Sequence, residues 1–165
     1  MKLRIHKLWL LVSLCLCVAG VAQAPVEPAQ WRGTVTPQTA VKRGTRAVIE
    51  LSAEVQEGWH VYGLTQFPGG PTPLHASVDA NETALGTGLA TGTPPVKKHD
   101  TAFDLDTEVY ERSFAVHLPI QINEHTAEGK QSVPVSVRFQ ACNDHVCLPP
   151  RTVHISVPVE VSQSN

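Results

Sequence analysis

Val133-Pro134-Val135-Ser136-Val137-Arg138-Phe139-Gln140-Ala141-Cys142-Asn143-Asp144-His145-Val146-Cys147-Leu148-Pro149-Pro150 is the stretch on which the fold turns. Val133, Val135, Val137 and Phe139 share one face, and a period of two marks a half-buried strand. The strand runs into Cys142. Four residues separate that cysteine from Cys147, and a double proline follows.

Outward from this stretch the same period recurs. Downstream, Val153, Ile155, Val157, Val159 and Val161 predict a last strand. Upstream, Phe114, Val116, Leu118 and Ile120 share a face within a strand region over 109–122. Ala47, Ile49, Leu51, Ala53 and Val55 alternate with Arg46, Glu50, Ser52 and Glu54. Shorter strands are expected at 31–36, at the aromatic run Trp59-His60-Val61-Tyr62, at Leu74 to Val78, and around 84–89. Pro37 to Gly44 reads as a polar connection, Gly63 to Pro73 as a loop holding three glycines and three prolines, and 96–108 as a charged segment with one exposed aromatic, Phe103. No segment sustains a 3.6-residue period. Seven or eight short strands with frequent turn signals predict an all-β, antiparallel β-sandwich.

The N-terminus reads differently. Lys2, Arg4 and Lys7 precede an apolar run from Leu8 to Val21, and Ala22-Gln23-Ala24 is a small-x-small sequence. This is the pattern of a secretory signal peptide over residues 1–24, too short for a spanning helix. Cleavage after Ala22 is the alternative, because Pro25 would follow Ala24. Cys15 and Cys17 lie in the apolar run, each preceded by leucine, and are expected to leave with it. Residues 25–165 then form one domain long enough for a hydrophobic core. No later stretch reaches 18 apolar residues, so no stable membrane insertion is expected. The leader carries three of the 13 basic residues and no acid, leaving ten basic against 15 acidic, a balance of −5. Nucleic-acid binding needs a basic footprint, so no nucleic acid is expected. Export implies an oxidising compartment, and two remaining cysteines suit one specific pair.

That pair admits several readings. A structural disulfide is one, but closing about six residues contributes only roughly 2 kcal/mol, against roughly 3 for fifteen. The flanking Asn143-Asp144-His145 is polar, which places the sulfurs near solvent, and accessible small-loop disulfides are candidates for exchange. The site differs from a thioredoxin-type one, whose cysteines are two residues apart at a helix N-terminus. Asp144 would disfavour a thiolate, and protonated His145 would favour it. Zinc is a third reading, with Cys142, His145 and Cys147 as ligands and His60, His75, His99 or His117 as a fourth. No histidine pair has ligand spacing, and neither a metal nor another cofactor is expected. Hydrolase signatures are missing. Asp104, Asp106 and Glu108 alternate as a solvated face would. Asn81-Glu82-Thr83 is a glycosylation sequon, relevant only in a host that uses it.

Phe139-Gln140-Ala141-Cys142-Asn143-Asp144, followed by Cys147-Leu148-Pro149-Pro150, resembles the active-site hairpin of the N-terminal periplasmic domain of DsbD, the thiol:disulfide interchange protein. Gly58-Trp59-His60-Val61-Tyr62 and Gly69-Gly70-Pro71 are similar to a second signature of that family. His99 to Tyr110 and Leu118 to Asn123 resemble its cap region and following strand. The resemblance spans nearly all of residues 25–165. It implies an immunoglobulin-like fold, a periplasmic location and a reversible disulfide between Cys142 and Cys147. Cys147 would form mixed disulfides and Cys142 would resolve them. Phe103 falls at the position of a cap aromatic that shields the pair. Tyr62, and more loosely His60, match aromatic positions beside the cysteines. The family's cap acids are not matched residue for residue: Thr101 and Ala102 precede Phe103, and Asp100 stands one step away. The cysteine spacing is one residue shorter than in some members.

The function so implied is protein-disulfide reductase-like: a relay of electrons from thioredoxin-like proteins to periplasmic acceptors such as disulfide isomerases or cytochrome c maturation factors. The family's membrane and thioredoxin domains are not found in the sequence, so the donors, including a membrane thiol electron carrier, are expected to be encoded separately. The alternative is a non-catalytic immunoglobulin-like binding module with a structural disulfide.

Overall fold

The computed structural model describes residues 26–163, and the leader expected over 1–24 lies outside them. The described residues form thirteen strands and no helix. The first sheet runs in the order β1 (Ala29–Thr36), β3 (Arg46–Val55), β10 (Phe114–Ile122) and β6 (Ala84–Gly86), with β7 (Thr91–Gly92) also on β10. The second runs β2 (Val41–Lys42), β13 (Arg151–Ser162), β11 (Gly129–Phe139) and β5 (His75–Val78). All these ladders are antiparallel except β2 on β13.

The core lies between the two sheets. Ile49, Leu51, Val116 and Ile120 come from the first, and Val133, Val135, Val137 and Val157 from the second. Each of these eight is fully buried, while neighbours such as Arg46, Ser52, Glu54 and Arg138 face water. Alternation along the chain thus becomes the two faces of each sheet. At Gly33 a Cβ would meet Val157 Cγ2 at 2.5 Å, so the missing side chain lets β1 approach β13 closely. The architecture is an all-β antiparallel sandwich, as the strand pattern predicts, and immunoglobulin-like, as the resemblance implies.

A third sheet departs from expectation. It runs β12 (Ala141–Asn143), β4 (Trp59–Tyr62), β9 (Leu105–Tyr110) and β8 (Val96–Asp100). The charged segment over 96–108 is therefore a β-hairpin. Its first strand buries only Asp100, so it has no apolar alternation to betray it. The polar connection over 37–44 holds the two-residue β2, and the strand expected around 84–89 ends at Gly86. The Asn81 side chain is committed locally: its amide donates to the carbonyls of Asp79 and Ala84, and its oxygen accepts from the Thr83 and Ala84 amides.

Gln140 joins the main sandwich to the third sheet. The β11 ladder with β13 ends at Phe139, opposite Arg151. One residue later the chain pairs with β4 instead, Ala141 opposite Val61 and Cys142 opposite His60. The Gln140 carbonyl accepts from the Tyr62 amide at 3.3 Å, and Gln140 Oε1 accepts from the Thr72 amide at 2.8 Å. The change of sheet leaves these polar groups satisfied.

Candidate functional site: the Cys142–Cys147 hairpin and its cap

Cys142 and Cys147 form a disulfide across a tight hairpin, with Cα atoms 4.1 Å apart. The hairpin is already closed by backbone: the Asn143 amide donates to the Val146 carbonyl (3.0 Å), and the Leu148 amide to the Ala141 carbonyl (2.9 Å). Asn143 Oδ1 accepts from the amides of His145 and Val146 at 2.9 and 2.8 Å. An asparagine suits this place because its side chain can mimic a turn of backbone.

The two sulfurs are not equivalent. Cys142 is 1% exposed, whereas Cys147 is half-buried. The expectation that both lie near solvent holds for neither fully and fails for Cys142. Its side chain is covered because β12, β4 and β9 lie side by side in one sheet, and Cys142 packs into a buried cluster with Tyr62 and Val109.

Tyr62 is fully buried. Its hydroxyl donates to Asp100 Oδ2 at 2.6 Å and lies 3.0 Å from Cys142 Sγ and 3.9 Å from Cys147 Sγ. A phenol has one hydrogen to give, and a carboxylate is a stronger acceptor than a disulfide sulfur. Asp100, itself buried, uses its other oxygen to accept from the amides of Ala102 and Phe103 at 2.9 and 3.4 Å. The turn of the β8–β9 hairpin is thereby wound around Asp100, with Asp104 in the left-handed region at φ 53°. This turn carries Phe103, the position at which the family resemblance implies a cap. Phe103, like Cys147, packs against the buried cluster of Tyr62, Val109 and Cys142, its ring edge-on to that of Tyr62 with centroids 6.1 Å apart.

His60 is also brought in. Its ring stands edge-on to Tyr62 at 5.2 Å, and its Nε2 lies 4.0 Å from Asp100 Oδ2. Asp144 and His145 sit exposed at the hairpin tip. Together with His60, Asp100, Cys142 and Cys147 they line a cleft of about 270 Å³. Neither makes a hydrogen bond to a sulfur among the described residues. His75 and His117 do not line the cleft, and His117 pairs with Glu50 at 3.5 Å. His99 faces Asp104 and Asp106. Asp100 is the residue that sequence reasoning undervalued. The only local signal is an aspartate two residues before Ala102, a spacing that suits an Asx-turn.

Burial pushes the Tyr62 hydroxyl well above its ordinary 10.0, and the hydrogen bond and charge of Asp100 push the same way. Burial likewise raises Tyr110, with help from Glu108. A raised folded value contributes stability that is complete below the unfolded value and is lost as pH rises. Urea midpoints should therefore hold up to about pH 10 and fall above it. Tyr62→Phe should flatten that fall, and an unaltered alkaline slope in the variant would contradict this account.

The family model described as "Thiol:disulfide interchange protein DsbD, N-terminal" matches residues 32–158. That is well over half of the chain, and the chain belongs to this family. Membership together with the Cys142–Cys147 disulfide makes it a thiol–disulfide exchange domain. No curated protein matched the sequence. Among solved structures, BcpA, the major pilin subunit of Bacillus cereus, aligns over 81% of this chain at 9% identity and a TM-score of 0.44. A variant of that pilin aligns over 84% at 11% identity and a TM-score of 0.47. This chain spans 41% of the length of each. Among the described residues, no helix is long and apolar enough to cross a membrane.

Proposed function

We propose that this domain relays electrons in the periplasm, accepting them from reduced thioredoxin-like proteins and passing them to oxidised acceptors through Cys142 and Cys147. The single observation behind the reading is the unequal burial of the two sulfurs beside the β8–β9 turn. A donor thiolate can reach the half-buried Cys147 sulfur, whereas Cys142 is 1% exposed. Attack at Cys147 forms a mixed disulfide and expels Cys142 as the leaving thiolate. Tyr62, 3.0 Å away, is placed to give that buried charge a hydrogen bond. In the other direction, Cys147 attacks an acceptor disulfide and Cys142 resolves the product. A structural role is less well supported, because the bridge joins chain segments already held by two backbone hydrogen bonds.

In this reading Phe103 guards the pair, and a docking partner displaces it. Phe103→Ala should therefore speed reduction of the disulfide by a small dithiol such as dithiothreitol, by about tenfold. Such a change corresponds to about 1.4 kcal/mol of barrier, within what a lost aromatic contact supplies. Quenched alkylation and mass measurement follow the reaction. An unchanged rate would remove the shielding role. The relay itself is tested by mixing the oxidised protein with a reduced thioredoxin-like domain. Transfer should outpace dithiothreitol at equal concentration, and no transfer would contradict the proposal.

A further inference from the structure

The buried sulfur poses a proton problem. For Cys142 to resolve a mixed disulfide its thiol must first lose a proton, yet the residue is 1% exposed. In the closed site solvent has little direct access to that sulfur. The side-chain oxygen within hydrogen-bond distance of Cys142 Sγ is that of Tyr62 at 3.0 Å, whose own hydrogen points to Asp100 Oδ2 at 2.6 Å. Beyond Asp100 stands His60. Its Nε2 is buried, has no hydrogen-bond partner among the described residues, and lies 4.0 Å from the same Oδ2. A buried polar atom left unpaired in a folded protein calls for an explanation. A shift of about one ångström brings the two within hydrogen-bond distance.

We infer that His60 is the terminal base for the Cys142 proton, reached through Tyr62 and Asp100. This rests on the relay reading above and assigns the proton path of its resolving step. The Cys142 thiol gives its proton to the Tyr62 oxygen as Tyr62 passes its own to Asp100, and His60 Nε2 accepts the proton from Asp100. The Cys142 electron pair then forms the bond to Cys147 Sγ. The mixed disulfide breaks, and its bonding pair leaves on the partner's sulfur, which takes a proton from solvent. The cysteine pair is oxidised and the partner disulfide reduced. His60 returns its proton through the cleft it lines. His60 touches neither sulfur among the described contacts, so its role is that of a positioning residue acting through Tyr62 and Asp100.

The surroundings of His60 suit a base. Burial lowers its pKa first, and the Lys98 charge lowers it further, against raising effects from Asp100, Glu111 and Asp144. The balance favours the neutral imidazole, the form that can accept a proton.

The test is the reaction of the reduced protein with dithiobis(nitrobenzoate). Attack by Cys147 releases one thionitrobenzoate, and resolution by Cys142 releases the second. In the wild type, the rate of the second release should rise with pH and reach a plateau once His60 is neutral. In His60→Gln and His60→Phe the first release should be unchanged and the second slowed roughly 10²-fold at neutral pH, the scale of a lost general base. The plateau should vanish, and the rate should climb about tenfold per pH unit as Cys142 ionises unaided. Asp100→Asn should slow the second release in the same way with His60 intact. A wild-type profile without a plateau, or a His60→Gln profile matching the wild type, overturns the inference while leaving the relay standing. A wild type that stops after one equivalent overturns the relay and the role of His60 with it.

Discussion

Cys142→Ser is expected to abolish turnover completely and to convert the protein into a trap. Cys147 keeps its access to solvent, so it attacks a partner disulfide as before. No second sulfur is then present to release the product. A covalent complex should accumulate toward one partner per chain, stable until reductant is added, and visible by non-reducing electrophoresis and intact mass. The mirror substitution should behave differently. In Cys147→Ser the remaining sulfur is 1% exposed beneath Tyr62, Val109 and the cap. It should form little or no adduct over the same period. Equal trapping by the two variants would contradict the assigned order of attack, because it would mean that burial of Cys142 does not govern access.

Phe139→Ala is expected to cost about 3–5 kcal/mol of folding stability. The ring is 1% exposed and packs against Trp31 with centroids 5.5 Å apart. The Arg151 guanidinium also lies over the ring, 5.1 Å from its centre, and Arg151 is held by Glu27 through both terminal nitrogens. Truncation would leave a cavity between the two sheets and unseat Arg151. Domains of this size are stable by only about 5–15 kcal/mol, so the loss is a large fraction of the total. Phe139 is also the last residue of β11 before the crossing at Gln140. Its removal should loosen the Cys142 hairpin before global unfolding and raise the reactivity of the disulfide toward small dithiols. Urea unfolding measures the first effect and quenched alkylation the second. A stability loss below about 1 kcal/mol, less than a typical core truncation, would contradict the packing described here.

The sandwich was legible where a strand has one wet face and one dry face. β3, β10 and β11 carry the alternation in their side chains, because each presents one face to the core and the other to water. The third sheet was not legible for the same physical reason. β8 lies at a sheet edge with four of its five residues exposed, and β12 is three residues long. Neither has room to display a period. At the site, the two cysteines, Tyr62 and Phe103 were nameable from motifs, and the structure gathers all four. The burial of Cys142 is not visible in its polar neighbours, because Asp144 and His145 are exposed at the hairpin tip while Tyr62 and Val109, from the adjacent strands, pack with Cys142. Asp100 was noted only as standing one step from the family's cap acids, because its two partnerships form only in three dimensions. One oxygen organises the cap turn beside it, and the other meets Tyr62, 38 positions away.

The most direct test of the relay is a redox titration of the protein in defined dithiol buffers, with free thiols counted by alkylation and mass. A reversible two-electron transition at roughly −200 to −280 mV, the range of the thiol oxidoreductases, is the predicted result. A pair that stays oxidised until the buffer falls below about −300 mV would contradict the relay and leave an immunoglobulin-like domain with a structural bridge.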